Sequence, residues 1–179
     1  LTPRTIDSFA SFGERLSSLL LGHAFRTAGV RAAVADSRRV VITDARHTEA
    51  RPLMPEIDRR VGTELLPLLE DHDVIVAQGF IGSTLEGATT TIGRGGSDHS
   101  GAIYGAALGA REIQIWTDVS GILTADPRLV KAARVVPEVT FTEARELAWF
   151  GAKVLHPDTI LPAMAQASPS WSIAQPSRA

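Results

Sequence analysis

Apolar and polar positions along this 179-residue chain follow helical and strand-like periods in turn. Phe12, Leu16, Leu20 and Ala24 recur every four residues, with Leu19 widening the stripe. That spacing predicts an amphipathic helix over Ser11–Ala28 whose stripe faces the core, stopped by Gly29 in the C′ position. Val30–Ala35 and Arg39–Thr43 read as short strands around a turn at Asp36-Ser37. Ile57, Val61, Leu65 and Leu68 mark a second helix that opens at Pro55 and Glu56, with Pro67 expected to bend or end it. Asp73–Ala77 and Glu112–Trp116 look like strands covered on both faces.

Between those two strands a helix is expected over Ser97–Gly109, capped by Ser97, with Gly101, Gly105 and Gly109 giving it a small side for close packing on a sheet. Thr140-Phe-Thr-Glu143 fits a capping box that opens a helix to about Trp149. Pro157 then starts a last helix, and Trp171–Ala174 reads as a final strand. Helices alternating with strands imply α/β layering around a mostly parallel sheet.

One stretch departs from this alternation. From Gly79 to Gly101 the chain is built of Gly, Ser and Thr, and after Leu85 its only large apolar residue is Ile92. Such a segment cannot form a core. It presents backbone N–H groups, hydroxyls and the Arg94 guanidinium beside a helix N-terminus, which suits an anion. Gly95 and Gly96 allow a close backbone approach, and Asp98 falls in the helix's first turn, where negative charge is favoured. Read without a ligand, the same residues make a glycine-rich hairpin with an exposed arginine.

A second polar cluster, Thr117 to Arg128, leaves the C-terminal end of a predicted strand, where open α/β sheets place ligands. Thr117 and Asp118 stand at its mouth, and the Asp126-Pro-Arg128 turn aims a second guanidinium. Asp118 could equally cap its own loop. Lys153 lies in a Gly151-Ala-Lys loop between two helices, where a lysine is ordinarily just solvated. Glu14 sits on the first predicted helix and reads locally as a surface glutamate.

Composition narrows the field. Hydrophobic residues make up 44% and charged residues 21%, as in ordinary globular domains, and the formal net charge is −2. Neither nucleic acid nor an anionic membrane is an expected partner. There is no cysteine, which excludes disulfides and thiolate metal sites, and no metal ligand set stands out. No apolar run is long enough to span a bilayer and Leu1-Thr-Pro-Arg-Thr5 has no secretory pattern, so a cytoplasmic location is expected.

Thr89-Thr-Thr-Ile-Gly-Arg-Gly-Gly-Ser-Asp98, Trp116-Thr-Asp-Val-Ser-Gly121 and Phe150-Gly-Ala-Lys-Val-Leu-His-Pro157 resemble three signature segments of aspartate kinase, in that family's order and near its spacing. Ser11-Phe-Gly-Glu14 resembles a fourth. The resemblance implies an α/β/α sandwich of the amino-acid kinase (carbamate kinase-like) type, of which Leu1–Ala179 would be the C-terminal part of one catalytic domain. It further implies transfer of the ATP γ-phosphoryl group to the β-carboxylate of L-aspartate, giving 4-phospho-L-aspartate on the route to lysine, threonine and methionine. ATP and Mg²⁺ would be the cofactors, and the full-length protein a homo-oligomer.

By the same resemblance Glu14 holds the substrate amino group, Arg94 clamps a carboxylate, Gly95, Gly96 and Ser97 cradle it and Phe80 walls the pocket. Asp98, with Arg94 in the catalytic set, orients cationic groups. Thr117, Asp118, Leu123, Arg128 and Lys153 line the nucleotide side; many relatives carry Tyr where Leu123 stands. His156 is read as structural. The family's Lys-Phe-Gly-Gly loop and its regulatory ACT domains are not matched here, so this stretch alone is expected to be inactive. Alternatives are a catalytically silent regulatory or assembly subunit, and another amino-acid kinase acting on a related carboxylate. A dinucleotide-binding dehydrogenase is disfavoured, since Gly93-Arg-Gly-Gly96 lacks the G-x-G-x-x-G spacing.

Overall fold

The computed structural model of the chain describes residues 1–116, 123–125, 128, 130–136, 140, 143 and 146 and the backbone of 170–174. Two compact units, Leu1–Ser100 and Gly101–Ala179, divide it.

The first unit opens with helix α1 (Pro3–Thr27). It starts eight residues before the predicted helix does because Thr2 caps it, accepting from the Thr5 N–H, and Pro3 suits the first helical turn. Gly29, at φ +82°, ends it in a Schellman motif: the Gly29 N–H bonds Arg26 O and the Val30 N–H bonds Phe25 O. The inward face is not the predicted one. Asp7, Ser11, Ser18 and Gly22 are buried, while Phe12 and Leu20 are 51% and 71% exposed and Leu16 and Leu19 are exposed with them. The reason is proximity. A Cβ on Gly22 would stand only 2.4 Å from Val34 Cγ2, so α1 lies too near the strands for large side chains on that side.

Strand β1 (Ala32–Ala35) pairs in parallel with β2 (Val74–Ala77), and α1 packs on both. The predicted strand Arg39–Thr43 is instead a single helical turn, α2 (Ser37–Val40), followed by extended residues at Ile42 and Thr43. The Asp36 carboxylate caps α2 by accepting from the Arg38 N–H, a local bond that overrides the β-branched pattern. Buried Ser37 and Gln78 then tie α2 to the end of β2 through two 2.7 Å hydrogen bonds, and the Gln78 amide donates to Ser18 on α1.

The second predicted helix is present in three pieces: α3 (Met54–Arg60), a π-helical turn (Val61–Leu65) and α4 (Leu66–Asp71). Pro67 supplies the cause. It has no N–H to return and its ring crowds the preceding turn, so the helix widens ahead of it. Ile57, Val61 and Leu65 fill the core as their spacing implies.

From β2 the chain turns into an antiparallel hairpin, β3 (Ile81–Ser83) with β4 (Thr89–Thr91), and then into helix α5 (Gly96–Ala107). Ser97 is therefore within the first turn of α5 and not its cap.

The second unit contains the parallel pair β5 (Glu112–Trp116) and β6 (Ser170–Ala174), matching the expected strands. β5 alternates instead of being covered on both faces: Ile113 is buried but Trp116 is 63% exposed. Gly105 admits Ile113, whose Cδ1 would lie 2.3 Å from an added Cβ. Gly109, at φ +58°, does not pack on the strand; it closes α5 as a second Schellman cap. Thr140 and Glu143 make the predicted reciprocal capping box: the Glu143 N–H bonds Thr140 Oγ1 at 3.2 Å and the Thr140 N–H bonds Glu143 Oε2 at 2.8 Å. The rest of that helix, His156 and the helix expected from Pro157 lie outside the described residues. No helix among the described residues is long and apolar enough to cross a membrane.

Candidate functional site

A cavity of about 380 Å³ opens within the first unit. Its lining is Glu14 from α1, Phe80 from the turn after β2, Gly93, Arg94 and Gly95 from the turn after β4, and Gly96, Ser97 and Asp98 from the start of α5. All six predicted substrate-side residues, Glu14, Phe80, Arg94, Gly95, Gly96 and Ser97, thus come together around one space with Asp98. They span 85 positions of sequence yet share this wall.

Each is held by local chemistry. Phe80 has φ +68°, and the Ile81 N–H bonds Gly79 O at 2.8 Å across it. Those are the marks of a γ-turn with a non-glycine at its centre, a strained arrangement that recurs at functional positions. Ser100 secures it: its Oγ accepts the Phe80 N–H at 2.8 Å and donates to Gly96 O at 2.7 Å. Gly96 has no room for a side chain, because a Cβ would lie 2.8 Å from Phe80 Cδ2.

The arginine turn is equally constrained. Gly93 and Gly95 sit at φ +89° and +72°, and the Gly96 N–H returns to Gly93 O at 3.0 Å. This geometry leaves the Arg94 side chain exposed at the cavity, paired with no carboxylate among the described residues. Glu14 faces the cavity half-buried, because α1 turns its small residues inward. It is not the surface glutamate that the apolar stripe suggested. Asp98 is half-buried, and that burial lifts its carboxyl above the ordinary carboxylate range. No cation sits against it among the described residues.

Chemically, the cavity offers one guanidinium, Arg94, and two carboxyl groups, Glu14 and Asp98, with the N-terminus of a twelve-residue helix and an aromatic wall. That set can orient a small zwitterion carrying a further carboxylate, its ammonium toward Glu14 and a carboxylate toward Arg94.

The nucleotide-side candidates are less fully visible. Leu123 bridges Val135 in antiparallel fashion and Arg128 is exposed. Thr117, Asp118 and Lys153 lie outside the described residues. Among the described residues no group of three or more acidic or histidine side chains is placed to hold a metal ion.

Sequence reasoning passed over Asp7, which lies on the helix that carries Glu14 and is completely buried. A signal was available. Asp7 stands seven residues before Glu14, two helical turns, and so shares its face of α1.

The chain is similar to known proteins over most of its length. The model of the amino acid kinase family matches residues 1–171. The chain is 45% identical over 163 residues to lysine-sensitive aspartokinase 3 of Escherichia coli, covering 91% of this chain and 36% of that protein. It is 42% identical over 165 residues to aspartokinase 1 of Bacillus subtilis, covering 92% and 40%. The crystal structure of E. coli aspartokinase III in complex with aspartate and ADP matches with a TM-score of 0.91 and 44% identity, over 97% of this chain and 38% of that one. The chain therefore spans well under half the length of these relatives.

Proposed function

The chain belongs to the amino acid kinase family, and on that footing we propose that its protein is an aspartate kinase to which these residues contribute the amino-acid pocket. The reaction is transfer of the ATP γ-phosphoryl group to the β-carboxylate of L-aspartate, giving 4-phospho-L-aspartate and ADP. The observation that carries this reading is the convergence of Glu14, Phe80, Arg94 and the Gly93–Ser97 backbone on one cavity. Its similarity to a structure that holds aspartate and ADP supports the choice of ligands.

The chemistry suits the residues. A carboxylate is already ionised at neutral pH, so no general base has to activate it. The protein's task is to position two anions and neutralise charge as the phosphoryl group moves. Glu14 receives the substrate ammonium and Arg94 clamps a carboxylate in a bidentate pair, while the first turn of α5 adds backbone N–H groups and a favourable dipole. Phe80 excludes water from one side. Thr117, Asp118, Leu123, Arg128 and Lys153 are assigned to the nucleotide by resemblance to the family. Mg²⁺ would ride largely on the substrate phosphates with one or two carboxylates, of which Asp98 would be one, and would neutralise charge on the transferring phosphoryl group.

The test is an assay of the full-length protein with L-aspartate and ATP, trapping acyl phosphate as its hydroxamate. Hydroxamate that depends on both substrates is expected. A product formed with glutamate or acetylglutamate but not with aspartate would refute the substrate assignment.

A further inference from the structure

Two charged groups of the cavity wall, Glu14 and Arg94, sit on different elements, and a single buried carboxylate joins those elements. Asp7 is 0% exposed. Its Oδ1 accepts the Thr91 hydroxyl at 2.7 Å and the Thr48 N–H at 3.0 Å. Its Oδ2 accepts from His47 Nδ1 at 2.7 Å and, as a second branch, the same Thr48 N–H at 3.1 Å.

The Thr91 and Thr48 bonds lead to the pocket, and His47 precedes Thr48 in the same turn. Asp7 lies on the Glu14 face of α1, about 10 Å along the helix axis, so fixing Asp7 fixes the depth and rotation of Glu14. Thr91 ends β4, two residues before Gly93, and its carbonyl also accepts the Ala50 N–H at 2.9 Å. Thr48 has φ +74°, a costly conformation for a β-branched residue, and survives only where its surroundings hold it. The Thr48 turn in turn backs the arginine loop: a Cβ on Gly93 would stand 3.1 Å from Thr48 O and 3.5 Å from Glu49 Cγ. The Asp7 carboxylate thus bolts the helix that carries Glu14 to the strand and turn that carry Arg94.

We propose that Asp7 is a positioning residue for the amino-acid pocket, setting the Glu14–Arg94 span through Thr48, Thr91 and His47. This rests on the reading of that cavity as the seat of the amino-acid substrate. The consequence is selective. Loss of Asp7 loosens the substrate wall, since its hydrogen-bond partners among the described residues, Thr48, Thr91 and His47, all belong to the first unit.

The experiment is steady-state kinetics on the full-length protein, varying aspartate and ATP separately, for Asp7→Ala, Asp7→Asn, Thr91→Val and Glu14→Gln. Asp7→Ala is expected to raise the KM for aspartate about tenfold or more with the KM for ATP unchanged, since an ångström of misplacement in a binding group can cost about 10²-fold. Asp7→Asn should restore most of the affinity: its oxygen can accept from Thr48 and Thr91, and its amide can donate to His47 in the other tautomer. Thr91→Val keeps the volume, removes one bond and should give a smaller shift in the same direction. If Asp7→Ala has no cooperative melt, Thr91→Val decides the matter by the same criterion.

Equal rises in both KM values, or unchanged KM values with a lower melting temperature, would overturn the proposal and leave Asp7 a purely structural residue. Glu14→Gln separates the two layers of inference. If it raises the aspartate KM while Asp7→Ala and Thr91→Val do not, the pocket reading stands and the positioning role falls. If Glu14→Gln itself has no effect, the pocket reading fails and the role of Asp7 falls with it.

Discussion

Phe80 and Ser100 are joined by a 2.8 Å hydrogen bond from the Phe80 backbone to the Ser100 hydroxyl. It ties the strained turn after β2 to the first turns of α5, so that strand end and helix start move as one piece. Ser100→Ala removes the acceptor of a part-buried N–H, which costs about 1–3 kcal/mol. A matching fall in the urea midpoint is expected, together with weaker aspartate binding as Phe80 relaxes. An unchanged midpoint would mean that the turn is held by other contacts.

Gly96 offers a converse test, since here the fault is excess. An added methyl would meet the Phe80 ring at 2.8 Å and its Cα at 3.3 Å. Gly96→Ala therefore forces the ring outward, and overpacking of this kind costs about 1–3 kcal/mol. The expected result is a lower melting temperature and a raised KM for aspartate. Wild-type values for both would show that the ring has room to move.

Two carboxylates should respond to pH in opposite senses. Burial raises the Asp98 pKa in the folded protein, so its contribution is fully present below the unfolded pKa and is lost as pH rises through the folded value. Asp98→Asn should therefore gain stability relative to wild type between acidic and neutral pH. Asp36 is the reverse case: its hydrogen-bonded ion pair with Arg38 lowers its pKa, so its contribution is present above the unfolded pKa and is lost as pH falls through the folded one. Asp36→Asn should lose stability at neutral pH and converge on wild type in strong acid. Denaturant titrations across that range measure both, and parallel curves for wild type and either variant would contradict the corresponding assignment.

The pocket was legible in the sequence where its residues are constrained by backbone chemistry. Gly93, Gly95 and Gly96 signal a close approach or left-handed geometry whatever surrounds them, and the Gly29 stop and the Thr140–Glu143 capping box follow from local rules alone. The orientation of α1 was not legible, because hydrophobicity pointed the wrong way. Ser11, Ser18 and Gly22 are buried for their small size, and a periodicity argument counts them as surface. The turn at Ser37–Val40 has a different cause: the Asp36 carboxylate, bonded to both the backbone N–H and the guanidinium of Arg38, caps a helical turn where Arg39 and Val40 were expected in a strand. Asp7 escaped notice because its partners, Thr48 and Thr91, lie 41 and 84 residues away. Thr117, Asp118 and Lys153, outside the described residues, rest on family resemblance alone.

The central claim is that the Glu14–Arg94 cavity seats L-aspartate. Calorimetric titration of L-aspartate into the full-length protein and its Arg94→Ala variant tests it most directly. Leaving a desolvated carboxylate without its partner costs about 2–5 kcal/mol, so the affinity should fall by roughly thirtyfold or more, with nucleotide binding retained. Aspartate affinity equal to wild type in Arg94→Ala, or a loss confined to ATP, would contradict the account.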